Sequence, residues 1–173
     1  IKSISLPEGL TYISGGLFLA CQNLTDITLP QSITEIGESA FGGCGKLEKI
    51  ELPDSITAIH TNAFQNCASL SDINLPDDIQ SIGYGAFFGC AKLENITLPK
   101  HLKKIESQAF KGSKIKTLVI PEEVNYIGDA SFSLCENLES VKILSNNITF
   151  DGYSFFGACY KLSRYEGYYA SED

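Results

Sequence analysis

The sequence predicts a repeat solenoid: a right-handed superhelix with one short parallel strand per turn and short helical or 3₁₀ turns between the strands. Three observations predict it. All six prolines follow an aliphatic residue, at Leu6-Pro7, Leu29-Pro30, Leu52-Pro53, Leu75-Pro76, Leu98-Pro99 and Ile120-Pro121, with four intervals of 23 residues and a fifth of 22. The six cysteines, Cys21, Cys44, Cys67, Cys90, Cys135 and Cys159, each fall fifteen residues after that aliphatic position, with Leu144-Ser145 standing for Leu-Pro in a seventh copy and Ser113 taking the cysteine slot in the fifth. One phenylalanine precedes each slot by three residues: Phe18, Phe41, Phe64, Phe87, Phe110, Phe132 and Phe156. A period of this length marks stacked repeats, in which each unit contacts only its neighbours.

The elements follow in order along the unit. Ile50-Glu51-Leu52 alternates apolar and polar residues, as a half-buried strand does, and Pro53 ends it because proline donates no ladder hydrogen bond. Ile33 to Ile36 is a second extended stretch. Phe41, Cys44 and Leu47 recur every three residues, which fits one inward-facing helical turn or a 3₁₀ segment. Ala40, Ala63, Ala86, Ala109 and Ser131 keep the position before each phenylalanine small. Gly37, Gly83, Gly128 and Gly152 follow the second isoleucine, but Ser14, His60 and Glu106 occupy that slot elsewhere, so no positive φ is required of it. The seventh unit departs by placing Asp151 where the second isoleucine belongs. The whole chain, residues 1–173, reads as one solenoid of about seven repeats starting near 6, 29, 52, 75, 98, 120 and 144. At ~4.8 Å per turn, seven turns make a slab of roughly 34 Å.

Composition excludes several classes. Hydrophobic residues are 43% and charged residues 20%, which is neither a disordered tail nor a fibre. No apolar run reaches the ~20 residues of a membrane-spanning helix, so no membrane insertion by this segment is expected. The net charge of −8, with dispersed lysines, argues against nucleic acid as a partner. The chain contains no methionine, and Lys2 to Leu6 reads as the strand half of a preceding repeat. The segment is therefore expected to come from inside a longer array, with address signals outside it. A bare first turn would expose a strand edge and invite end-to-end self-association. The tyrosines Tyr153, Tyr160, Tyr165, Tyr168 and Tyr169 read as a capping turn or as a platform for a partner.

No set of residues converges on catalysis. The cysteines recur in an apolar slot with parallel side chains, unlike a relaxed disulfide, so buried free thiols are expected. No two cysteines are close enough in sequence for a C-x-x-C zinc motif. His60 and His101 hold different positions of their repeats, and neither is assigned as a base. Asp77-Asp78 and Glu122-Glu123 suit solvated loops and lack a calcium-loop spacing. No cofactor is predicted. Three sequons, at Asn23, Asn95 and Asn147, matter only in a eukaryotic secretory pathway.

What remains is surface. The polar residues flanking the strand isoleucine form a ladder, and the candidate binding face is Asp26, Thr28, Lys49, Glu51, Asp72, Asn74, Asn95, Thr97 and Thr117. A second face runs through Thr11, Thr34, Thr57, Gln80, Lys103 and Asn125, with a small basic spot at His101, Lys103 and Lys104.

The repeated unit, L-P-x-x-I-x-x-I-G-x-x-A-F-x-x-C-x-x-L-x-x-I-x, resembles the leucine-rich repeat of the BspA-like family from Ser3 to about Tyr165. The resemblance implies a leucine-rich-repeat fold and no catalytic motif. It also implies a cell-surface or secreted protein whose adhesion-type partners are host or cell-surface proteins or glycans. Two other roles stay open: a rigid structural stalk without a ligand of its own, and an intracellular scaffold.

Overall fold

A computed structural model describes residues 1–167 as a parallel β-solenoid of about seven turns, with no helix among those residues. Fourteen short strands among these residues are shared between two walls, seven to each. The front wall holds β1 (Ser3–Ser5), and the back wall holds β2 (Tyr12–Ile13). There follow β3 (Asp26–Thr28), β4 (Glu35–Ile36), β5 (Lys49–Ile50), β6 (Ala58–Ile59), β7 (Asp72–Ile73), β8 (Ser81–Ile82) and β9 (Lys104–Ile105). The chain continues with β10 (Thr117–Ile120), β11 (Tyr126–Gly128), β12 (Ser140–Ile143), β13 (Thr149–Asp151) and β14 (Arg164–Glu166).

The back wall is one seven-stranded parallel sheet, β13-β11-β9-β8-β6-β4-β2. The front wall is broken into β1-β3, β5-β7 and β10-β12-β14, and no strand spans 94–97. The second extended stretch, not the first, thus makes the continuous sheet. β1, β3, β5, β7 and β10 each lead within a few residues into a proline with no N–H to offer, whereas β12 and β14 do not. Between Leu52 and Asn74, a side chain replaces the ladder: the Leu52 amide donates to Asn74 Oδ1 at 3.1 Å, and Asn74 Nδ2 donates to the Leu52 carbonyl at 3.2 Å.

The third side of each turn corrects the expectation of helical or 3₁₀ segments. In the second turn the amides of Ser39, Phe41 and Gly43 donate to the carbonyls of Thr61, Ala63 and Gln65 in the next turn, at 2.7–2.9 Å. The alternate amides, of Ala40, Gly42 and Cys44, donate three residues back within their own turn at 3.0–3.2 Å. A 3₁₀ helix would use every amide internally and leave none to bind the next turn. The alternation requires left-handed backbone at two points per arc. These are Gly16 and Ala20, Ser39 and Gly43, Asn62 and Asn66, Gly85 and Gly89, Gln108 and Gly112, and Ala130 and Leu134 in the first six turns, with φ between 54° and 75°. The seventh arc repeats the second point at Ala158.

The core is a set of columns. Phe18, Phe41, Phe64, Phe87, Phe110, Phe132 and Phe156 stack with centroid separations of 5.1–5.7 Å and interplanar angles of 3–19°. Offset parallel rings at this distance are an attractive arrangement, worth ~0.5–1.5 kcal/mol per pair beyond area burial. A second column is cysteine. All six thiols are free, and Sγ of Cys44, Cys67, Cys90, Cys135 and Cys159 donates to the phenylalanine carbonyl of the preceding turn at 3.1–3.4 Å. Cysteine suits the slot because it is small, apolar and able to give one weak hydrogen bond to a buried carbonyl. Ser113 bonds instead with Cys135 Sγ, at 3.2 Å.

The glycine after the second isoleucine adopts no positive φ in turns 2, 4 and 6, yet it is sterically constrained. A Cβ on Gly83 would lie 2.7 Å from the backbone of His60 and Thr61 below it. In the seventh turn the register sits one residue earlier than the sequence suggests. Ile120 pairs with Ile143, and Ile127 with Phe150, so Phe150 fills the second isoleucine slot and Asp151 faces Gly128. Leu144 is left exposed, while Ser145 is buried and donates its hydroxyl to the Val124 carbonyl at 2.6 Å. The extra residue is absorbed after β13, where the amides of Tyr153 and Ser154 donate to Asp129 Oδ1 at 3.1 and 3.0 Å. Those amides hold the Asp129 carboxyl below the usual carboxylate range.

Candidate functional site

The front wall carries the site. Over β3, β5 and β7 it holds shallow polar grooves, across the unpaired step from β3 to β5 and the paired step from β5 to β7 alike. One, of ≈370 Å³, is bordered by Gln31, Lys49, Glu51, Asp54, Asp72 and Asn74. A second, of ≈260 Å³, is bordered by Asp26, Thr28, Gln31, Lys49 and Glu51. A third, of ≈410 Å³, is bordered by Thr25, Asp26, Glu48, Lys49, Ser71 and Asp72. Lys49 borders all three.

All nine candidate residues are exposed, and the structure brings six of them together: Asp26, Thr28, Lys49, Glu51, Asp72 and Asn74. Thr117 borders a separate groove of ≈240 Å³ with Ser140, Lys142, Arg164 and Glu166, far along the stack. Asn95 and Thr97 lie on the strandless stretch and border none of these grooves. Gln31 and Asp54 join the site although the sequence did not single them out. Their position directly after the proline is the signal that could have found them, since the chain there still faces the front wall.

The charges at the centre are uncommitted. Asp26, Lys49 and Asp72 follow one another on successive turns. Among the described ion pairs, none uses them or Glu51. Elsewhere, charge pairs clamp adjacent turns: Lys114 with Glu136 at 2.7 Å, Lys116 with Glu94 at 2.6 Å, His60 with Glu35 at 2.8 Å and His101 with Glu123 at 3.0 Å. Such exposed pairs contribute little stability each. The second face is also partly committed. Thr34 Oγ1 donates to the Thr11 carbonyl at 3.0 Å, and Thr57 Oγ1 to the Thr34 carbonyl at 3.3 Å.

The structure shows little that resembles a reaction centre. Among the described residues there is no group of three or more histidine, cysteine or acidic side chains placed to hold a metal ion, and no helix long and apolar enough to cross a membrane. Burial pushes the thiols of Cys44, Cys90 and Cys135 up to about 11, 12 and 12, and raises Cys67 as well. Thiols held neutral in this way are poor nucleophiles. The Tyr126 hydroxyl donates to Asp151 Oδ2 at 2.7 Å, and that bond pushes the phenol up to about 12. Of the carboxyl-terminal tyrosines, Tyr153 and Tyr160 are exposed, Tyr165 packs edge-on against Phe156, and Tyr168 and Tyr169 lie outside the described residues.

A known family accounts for the architecture. The model for the BspA type leucine-rich repeat region matches in six copies, over residues 1–84 and 57–167. No curated protein matches the chain. Among solved structures, a leucine-rich repeat protein of T. pallidum is similar at 34% identity with a TM-score of 0.87, covering 94% of this chain and 78% of that one. A leucine-rich cell surface protein of Faecalibacterium prausnitzii shares the fold at 23% identity and TM-score 0.82, covering 96% of this chain and 61% of that one. A leucine-rich repeat protein of Bacteroides ovatus is similar at 26% identity and TM-score 0.58, covering 96% of this chain and 56% of that one. The chain thus spans less than two thirds of the length of the latter two. With the 23-residue period, the stacked phenylalanine and cysteine columns and the family match in agreement, the chain belongs to the BspA-type leucine-rich repeat family.

Proposed function

We propose that the chain is a non-catalytic binding module of a cell-surface or secreted protein, and that its front wall captures a host or cell-surface protein or glycan in an adhesion-type contact. The observation that carries this reading is the row Asp26–Lys49–Asp72, which makes no ion pair among the described residues and lies over three adjoining grooves. Polar groups free of internal partners are available to a ligand at no cost in broken contacts. Membership of a family of binding and structural modules supports it.

The test has two parts. Intact source cells are labelled with a membrane-impermeant amine reagent; modification of this segment's lysines is expected, and labelling only after lysis would retire the surface reading in favour of an intracellular scaffold. Arrayed host-surface proteins and glycans are then probed with the wild-type chain and with Lys49→Glu and Asp72→Lys. Both variants are expected to lose binding at least tenfold with an unchanged unfolding midpoint. Binding that survives both substitutions removes the front wall from the contact. A second reading, a stiff spacer, rests on the uninterrupted stack of seven phenylalanine rings. It predicts that the charge swaps are silent while added or deleted repeats change reach.

A further inference from the structure

The charge of this solenoid is unevenly distributed along its axis. Turns 1 to 4, taken as residues 6–28, 29–51, 52–74 and 75–97, each carry a net charge of −2. Turn 6, residues 120–142, carries −4, and turn 7, residues 143–166, is neutral. Turn 5, residues 98–119, holds six lysines against a single carboxylate, Glu106, and is +5. It is also the turn shortened by one residue and the one with serine in the cysteine column.

Neighbouring turns neutralise only part of this belt. Lys114 and Lys116 pair with Glu136 and Glu94 on the side leading to the front wall. On the back wall the belt stays open. Lys103 and Lys104 are exposed at the start of β9, and among the described residues neither has a carboxylate within ion-pair distance. The Lys103 ammonium meets only the neutral Gln80 Oε1, at 3.4 Å. Lys104 lies in register between Ser81 of β8 and Tyr126 of β11, so uncharged polar groups flank it on both sides. Lys100 is exposed on the loop that leads into the strand; its backbone amide donates to Asp77 Oδ1 at 3.2 Å, and among the described residues its ammonium makes no ion pair.

We propose that the back wall at turn 5 is a docking surface for a short acidic protein segment, a run of Asp and Glu residues lying across the solenoid along β9, with Lys103 and Lys104 as its principal contacts. The orientation and the class of partner follow from electrostatics. Adjacent turns are ~4.8 Å apart, and the screening length at physiological ionic strength is about 8 Å, so a bound anion senses the turn on either side. A long polyanion running along the axis would lie over turns 4 and 6, at −2 and −4, and be repelled. A chain following the belt stays over the turn of net charge +5, whose one carboxylate, Glu106, lies two residues past Lys104, and reaches the neutral donors and acceptors of Gln80, Ser81 and Asn125 beside it. This surface lies on the opposite wall from the front grooves and does not depend on the role given to them.

The test measures fluorescence anisotropy of a labelled octaglutamate peptide on the whole chain at 50 and 200 mM salt. Saturable binding that weakens with salt is expected. Lys103→Glu with Lys104→Glu should lower the affinity at least tenfold, and Lys114→Glu with Lys116→Glu less than threefold. Lys49→Glu should leave it within twofold. If the charge reversal at 103 and 104 unfolds the chain, Lys103→Gln with Lys104→Gln replaces it; a loss of affinity supports the proposal, and an unchanged affinity overturns it. No saturable binding at 50 mM salt overturns it as well, as does an equal loss in the Lys114 and Lys116 variant. Tighter binding of a heparin oligosaccharide of matched charge would assign the belt to a glycan instead of a peptide.

Discussion

Phe64→Ala would test whether the stability of this solenoid runs through its phenylalanine column. Phe64 has no exposed surface and stacks on Phe41 at 5.2 Å and on Phe87 at 5.3 Å. Truncating a fully buried phenylalanine costs about 3–5 kcal/mol, and the two lost ring contacts account for ~1–3 kcal/mol of that. Against the roughly 5–15 kcal/mol that holds a typical domain together, this is a large fraction. At the end of the column, Phe156 has one stacked neighbour, Phe132 at 5.7 Å, an edge contact with Tyr165 and partial exposure, so Phe156→Ala should cost about half as much. The assay is urea unfolding, extended to double-mutant cycles. Phe64→Ala with Phe87→Ala should show a coupling of ~0.5–1.5 kcal/mol. Phe41→Ala with Phe87→Ala, separated by the Phe64 ring, should be additive within about 0.5 kcal/mol. Equal coupling in both cycles, or a terminal substitution as costly as the central one, would refute the nearest-neighbour account.

Two further predictions concern the cysteine column and the arcs. In native protein a thiol reagent should modify no more than the partly exposed Cys21 and Cys159, leaving Cys44, Cys67, Cys90 and Cys135 protected; all six should react in denaturant, and three disulfides by mass would contradict this. Because burial raises the folded-state values of Cys44, Cys90 and Cys135 from 9.0 to about 11–12, the stability they confer is complete below pH 9. It is lost as pH rises towards 11–12, by about 1.4 kcal/mol per pH unit for each thiol, since only the unfolded chain can ionise in that window. Replacing the three by alanine should flatten the alkaline limb of a stability-against-pH curve, and an unchanged limb would reject the assignment. In the arcs, Gln108 holds φ 59° and Gly112 holds φ 75° with only distant neighbours at 4.0 Å. Gln108→Gly should raise stability by about 1 kcal/mol and Gly112→Ala lower it by about 1–2 kcal/mol, read as opposite shifts of the urea midpoint.

The family resemblance carried the fold correctly, but it did not locate the grooves. Nine polar positions shared one repeat slot or its neighbour, and six of them meet around Lys49. Asn95 and Thr97 occupy the same slots on a turn with no front strand, so an identical sequence position produced a different surface. The seventh turn shows the same limit. Leu144-Ser145 matched the spacing to Cys159, but Ile143 offered a better partner for Ile120, and the surplus residue moved to the loop after β13, where Asp129 binds its amides. The helical reading of Phe41, Cys44 and Leu47 failed because a three-residue apolar spacing is shared by a 3₁₀ helix and by a chain of linked turns.

By itself the sequence determined the period, the buried columns and the stacking of like residues on like, because one 23-residue unit has too little apolar surface to close a core alone. Its lysines, read as dispersed from the overall composition, are in fact half gathered on the fifth turn, six of twelve. The tertiary structure decided where hydrogen bonds run between turns, which of the two walls forms an unbroken sheet and which charges remain without partners. Those outcomes depend on the turn above and the turn below: an amide commits to a neighbouring carbonyl, or a lysine to a neighbouring carboxylate, only when stacking brings the two together.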